Sequence, residues 1–164
     1  MKIIHCSDIH LGASMRTHLT IDKARKRQEE LLATFSRMVN FAITNDIAAI
    51  IIAGDLLDTS ECDIKTRNFL INTIADAKNV KFYYLCGNHD ENNILLRGEE
   101  LPTNLHVFGT EWTTFRLGEV NITGATLGND NARLYDSLRL PANEFNIVVL
   151  HGDIELGHEI NKPD

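Results

Sequence analysis

No apolar run in this chain is long enough to cross a bilayer. The longest, Ile47 to Ala53, has seven residues before Gly54 interrupts it, against the roughly 20 that a membrane helix needs. A secretory leader is not expected either. Met1-Lys2-Ile3-Ile4-His5-Cys6 begins apolar but turns to Ser7-Asp8 at once, without the length or the small-residue cleavage site of a signal peptide. Cysteine is scarce: Cys6, Cys62 and Cys86 are odd in number and form no CxxC pair. Neither a disulfide framework nor a thiolate metal site is suggested, and a reducing, cytoplasmic setting fits best. Positive charge is in the minority, with 16 Lys and Arg against 23 Asp and Glu for a net −7. Such a surface repels phosphate backbones unless metal ions or local clusters compensate, so composition alone argues against a nucleic-acid-binding module. Repeats, low-complexity tracts and linkers are absent.

What is present is a chain of 164 residues, 43% hydrophobic, long enough to bury one core and too short for two ordinary domains. Three β-rich runs come early, Lys2 to Cys6, Ile47 to Ala53 and Val80 to Cys86. The second is apolar throughout, as a strand covered on both faces would be. From Lys23 to Asn45, Leu31, Leu32, Phe35, Met38, Val39, Ala42 and Ile43 recur at helical spacing, with Arg25, Lys26, Glu29 and Glu30 on other faces. A second helix is expected over Ile64 to Ala77, with Leu70, Ile71 and Ile74 on one stripe and Asp63 as its start. Strands alternating with helices mean a parallel sheet. After Asn93, Leu105 to Phe108, Trp112 to Leu117 and Val120 to Ala125 read as shorter, antiparallel strands separated by turns such as Gly118-Glu119. A short helix over Ala132 to Leu138 and a last strand, Asn146 to Leu150, lead into His151-Gly152-Asp153.

Each strongly marked strand ends in polar groups. Asp8-Ile9-His10 follows the first, Gly54-Asp55-Leu56-Leu57-Asp58 the second, Gly87-Asn88-His89-Asp90 the third and His151-Gly152-Asp153 the last. Loops at the carboxyl ends of strands in open α/β sheets converge on one crevice, so these side chains are expected to meet. Oxygen and nitrogen donors without thiolate suit manganese, magnesium, iron or zinc, and two such ions a few Å apart clamp a phosphoryl group. Taken singly, an Asp or Asn after a strand is most often a turn former or a helix cap. A lone His there is as often a half-buried polar residue. Four coincidences at strand ends are harder to dismiss.

In order, Ser7-Asp8-Ile9-His10-Leu11-Gly12, Gly54-Asp55-Leu56-Leu57-Asp58, Gly87-Asn88-His89-Asp90 and Val149-Leu150-His151-Gly152 resemble the DxH, GDxxD, GNHD/E and single-His blocks of calcineurin-like metallophosphoesterases. Asp-Ile-His-Leu-Gly followed by Gly-Asp-Leu-Leu-Asp is most similar to the nuclease domain of SbcD-type DNA-repair exonucleases. The resemblance implies an α/β sandwich of two mixed sheets flanked by helices, spanning residues 1–164. It implies that Asp8 and His10 bind one divalent ion, Asn88 and His151 a second, and that Asp55 bridges both, with manganese first among the candidate metals and magnesium, iron or zinc as alternatives. A bridging carboxylate makes physical sense, because two neighbouring cations need a negative charge between them. His89 is implied to face the phosphate, stabilising its charge or protonating the leaving oxygen, and Asp58 to orient His89 from behind. The implied activity is a metal-dependent phosphodiesterase or exonuclease acting on DNA, in company with an SbcC-like ATPase and as a homodimer, with no membrane partner.

The sequence departs from that pattern at its far end. A Gly-His-x-His block, which completes the family's site with one more imidazole for each metal, is not found. Gly157-His158-Glu159-Ile160 lacks the second histidine and follows His151 too closely to occupy another strand. His158 is expected to be an ordinary loop residue, and the 164 residues to be a fragment that stops before the last strands and binds metal weakly. Two other functions stay open, a phosphatase or phosphodiesterase for small phosphoesters, which the acidic charge favours, and a truncated non-catalytic metal- or phosphate-binding or assembly module. The basic group Arg16, Lys23, Arg25, Lys26 and Arg27 is expected to be a solvated helix face rather than a DNA site. Trp112 and Phe115 are expected in the core, and His5 and His106 are expected to be packed or edge residues outside the site.

Overall fold

The computed structural model describes residues 1–15, 19–58, 62–87, 101–127 and 131–152. In chain order its elements are β1 (Ile3–Cys6), α1 (Ile21–Thr44), β2 (Ala49–Ala53), α2 (Ile64–Asp76), β3 (Lys81–Leu85), β4 (Leu105–Val107), β5 (Thr113–Leu117), β6 (Val120–Gly124), α3 (Asn131–Ser137) and β7 (Phe145–Val149). Every element expected from the sequence is there, with ends shifted by a residue or two. One sheet has the order β1-β2-β3-β4 and the other β5-β6-β7.

Strand β2 fixes the layering. All five of its residues are buried, and they alternate between two cores. Ile50 and Ile52 pack with Phe35, Val39 and Ala42 of α1, Leu70 and Ile74 of α2, and Phe82 and Tyr84 of β3. Ala49, Ile51 and Ala53 face the second sheet, where Ile122 and Val149 meet Tyr83 and Leu85. A continuously apolar strand thus lies between a helical layer and a second sheet, as the pattern of a strand covered on both sides demands. The expected α2 start is also present. The Asp63 carboxylate accepts a hydrogen bond from the Thr66 amide at 2.7 Å, which holds its carboxyl below the usual range.

Strand β4 departs from expectation. Instead of opening an antiparallel set it is a fourth parallel strand, Leu105 opposite Phe82 and His106 opposite Tyr83. Parallel neighbours need a crossover of about a dozen residues or more, and the stretch from 86 to 104 supplies it. In the second sheet β5 and β6 form the expected antiparallel pair, whereas β7 runs parallel to β6. Among the described residues both β1 and β7 are outer strands of their sheets. Among the described residues no helix is long and apolar enough to cross a membrane. Of the early basic residues, Lys23, Arg25, Lys26 and Arg27 lie on a solvated face, Arg25 pairing with Glu29 and Arg27 with Glu30; Arg16 lies outside the described residues.

Candidate metal centre

Three side chains reach the site from equivalent places. Asp8, Asp55 and His151 each stand two residues beyond the end of a strand, after β1, β2 and β7. Because β1 and β2 are parallel and in register, Cys6 opposite Ile52, their following loops leave side by side and continue to pair. The Asp8 amide donates to Gly54 O at 3.2 Å, His10 to Asp55 O at 3.0 Å, Leu11 to Leu56 O at 2.9 Å and Asp58 to Leu11 O at 3.0 Å. Leu11, Leu56 and Leu57 are fully buried and anchor both loops in the helical core. Apolar side chains therefore hold down a backbone whose polar side chains point the other way.

That backbone is strained where the polar groups are. Asp8, His10 and Asp55 have φ of 55°, 49° and 51°, a left-handed conformation that costs an L-residue on the order of 1 kcal/mol and clusters at functional sites. Two glycines make room for the side chains. A Cβ on Gly54, itself at φ 87°, would run into the imidazole of His151, and one on Gly87 would run into the carboxylate of Asp55.

Asp55, only 4% exposed, is the centre of the arrangement. Its Oδ2 lies 3.2 Å from His151 Nε2 and 3.8 Å from His10 Nε2. On its far side the His151 ring places Nδ1 2.8 Å from the Ala53 carbonyl oxygen. A carbonyl only accepts, so Nδ1 carries a proton and Nε2 is the nitrogen turned toward Asp55. A ring whose one nitrogen is tied to a backbone acceptor is oriented as metal-binding histidines are. Donor atoms of Asp8, Asp55 and His151 all lie within 4.8 Å of one another. They open into a hollow of about 560 Å³ also lined by His5 and Ser7. Hard oxygen donors with imidazole nitrogen fit a divalent ion. Cys6 contributes no thiolate beside them, since burial pushes its thiol up to about 11.

Of the side chains marked in the sequence, Asp8, His10, Asp55 and His151 are thus brought together. Asp58 is half-buried at the end of the same loop. Asn88, His89 and His158 lie outside the described residues. His106 is away from the site, stacked on Tyr83 and tilted against Phe115 at centroid separations of 5.1 Å each. Phe115 is packed as expected, while Trp112 is half-buried and its indole donates to Leu134 O at 2.6 Å. His5, expected to be a packed or edge residue outside the site, is exposed on β1. It lines the hollow, and the signal was period-two alternation, which puts His5 and Ser7 on the same side of the chain.

Residues 1–163 match the family described as calcineurin-like phosphoesterase. The chain belongs to that family. Among calcineurin-like phosphoesterases and their kin it is similar to the Uncharacterized metallophosphoesterase YhaO of Bacillus subtilis (strain 168), 28% identical over 99% of this chain and 43% of that protein. It is also similar to the DNA double-strand break repair protein Mre11 of Sulfurisphaera tokodaii, 26% identical over 92% of this chain and 40% of that one. The chain therefore spans less than half the length of these relatives. Among solved structures, the crystal structure of Pseudomonas putida nuclease MPE is similar at 16% identity and a TM-score of 0.44, covering 78% of this chain and 56% of that one. In a calcineurin-like phosphoesterase the gathering of Asp8, His10, Asp55 and His151 is a candidate divalent-metal centre.

Proposed function

We propose that this site hydrolyses phosphoesters with two divalent ions, manganese first among magnesium, iron and zinc, and that its substrate is DNA, as for a repair exonuclease. The observation that carries the reading is Asp55, buried between the imidazoles of His10 and His151 with the Asp8 carboxylate in reach. Asp8, His10, Asn88, His151 and Asp55 would hold the ions, with Asp55 shared between them. When bound, the ions supply Lewis-acid activation of water and of a phosphoryl oxygen. The chain's own residues do the rest. Asp55 would supply the negative charge that neighbouring cations need, the Ala53 carbonyl fixes the His151 ring, and His89 would meet the phosphate with Asp58 orienting it.

DNA is favoured because the archaeal relatives carry the name of a double-strand break repair protein. An SbcC-like ATPase partner and a homodimer belong to the same reading, in which these residues form the nuclease-like part of a longer chain. A small phosphoester is the second reading, and the net charge of −7 favours it, since a long polyanion is repelled by such a surface. Nucleotide release from linear DNA with manganese, lost in His89→Ala while calorimetric metal binding is kept, is the expected result. Hydrolysis of a small chromogenic phosphodiester but not DNA selects the second reading. Metal binding without hydrolysis of either would overturn both.

A further inference from the structure

His5 is the residue of the hollow that neither the motifs nor the metal site uses. Along β1, Ile4 and Cys6 pack toward the helices, while Ile3 packs toward the second sheet. Alternation puts His5 on the side of Ile3. Because β1 is an outer strand of its sheet and β7 an outer strand of the other, nothing described covers this position, and the His5 side chain is exposed.

Two surfaces meet there. Above His5 is the polar hollow with Asp8, Asp55 and His151. Beside it runs an apolar groove of about 300 Å³ that His5 shares with Ile3, Ile51, Ile147 and Val149. The other two described imidazoles of the site are engaged with Asp55, and His151 with Ala53 as well. Among the described residues neither ring nitrogen of His5 has a hydrogen-bond partner. Nor is His5 one of the three residues whose donor atoms fall within 4.8 Å of one another. It stands at the rim, beyond the metal donors.

We propose that His5 is a substrate-contacting residue, donating a ring N–H to a non-bridging phosphoryl oxygen of a phosphoester whose phosphorus lies over the metal donors and whose organic part extends along the groove. The inference rests on the phosphoesterase reading above. Imidazole suits the position, since one face of the ring is apolar enough for the groove and its neutral form still carries a donor. A hydrogen bond from a side chain to an anionic oxygen is among the stronger ones.

The test measures two affinities on the whole chain, manganese by calorimetry and inorganic phosphate on the manganese-loaded protein. His5→Ala is expected to weaken phosphate binding about tenfold, the effect of losing one hydrogen bond to a charged group, with manganese affinity unchanged. His5→Gln keeps an N–H donor and is expected to recover most of the loss. Its exposure makes both variants tolerable to the fold, which thermal melting verifies. Equal phosphate affinity in native protein and His5→Ala overturns the proposal, and so does a parallel loss of manganese affinity, because His5 then acts on the metal. Native protein that binds manganese but no phosphate overturns the role of His5 and leaves the metal centre standing. Native protein that binds no manganese removes the phosphoesterase reading and the inference with it.

Discussion

Nε2 of His151 faces Oδ2 of Asp55 at 3.2 Å, while Nδ1 of the same ring donates to the carbonyl of Ala53 at 2.8 Å. Two acceptors that close repel unless a cation is shared between them, either a second proton on the ring or a metal ion. Asp8 adds another carboxylate within 4.8 Å, and burial of Asp55 leaves little water to screen it. Divalent metal is therefore expected to stabilise the fold. At free manganese a hundredfold above its dissociation constant, the gain is about 2.7 kcal/mol. Asp8→Asn keeps the size and the tolerance for positive φ and changes an exposed position, so it should leave metal-free melting within about 0.5 kcal/mol and abolish most of the manganese-induced rise. Melting scans with and without manganese or a chelator measure both.

Gly54 and His151 form a second testable pair. Alanine at Gly54 would overlap the imidazole and sit at φ 87°, so Gly54→Ala is expected to cost about 2–4 kcal/mol, part overpacking and part backbone strain. Removing the ring relieves the closest overlaps but leaves the His151 Cβ, 2.7 Å from the added methyl, and the backbone strain in place. Gly54→Ala combined with His151→Ala should be less destabilised than the two single changes added together, with a coupling of about 1–3 kcal/mol. Urea denaturation of the four proteins gives the coupling, and strict additivity would contradict the placement of His151 over Gly54.

How much of this was written in the sequence follows from how local each signal is. The continuously apolar run of β2 and the helical spacing of Phe35, Val39 and Ala42 are local, and both appeared where expected. The convergence of Asp8 and Asp55 was legible too, because parallel strands in register carry their loops to one end, while His151 joins them from β7 of the second sheet. Pairing direction is less local. Leu105-His106-Val107 looks the same in either orientation, and only the length of the preceding connection distinguishes a crossover from a hairpin. The place of His5 was hidden for another reason: a histidine within a strand gives no sign of whether a neighbouring sheet covers it, and that depends on β1 being an outer strand. The left-handed backbone at His10 was not legible, since histidine tolerates it more readily than most residues yet adopts it at few positions, and here it precedes the bridge between Leu11 and Leu57.

Asn104 ties the end of α2 to the start of β4. Its buried side-chain amide donates toward the carbonyls of Ile74, Ala77 and Val80 at 2.8, 3.0 and 3.1 Å. Asn104→Ala removes the donors from a site closed to water and should cost about 1–3 kcal/mol. Asn104→Asp should cost more, because it sets a carboxylate against three carbonyl oxygens. Chemical denaturation at neutral pH orders the three proteins, and an Asp variant as stable as native protein would contradict the bonding pattern.

His106 gives the fold a pH dependence separate from the metal centre. The ring lies between Tyr83 and Phe115, and burial, with the Lys81 ammonium adding to it, holds the imidazole below its ordinary range. The folded protein therefore binds a proton at His106 less readily than the unfolded chain does, whose histidine titrates near pH ~6.5. Stability must rise with pH wherever the unfolded state holds more protons. The contribution is fully present above the unfolded value, declines as pH falls through it, and levels off below the folded value. Urea denaturation at a series of pH values between neutrality and pH 5 should show His106→Phe losing less stability on acidification than native protein. Equal losses in the two proteins would mean that the stacked ring takes up its proton as freely folded as unfolded.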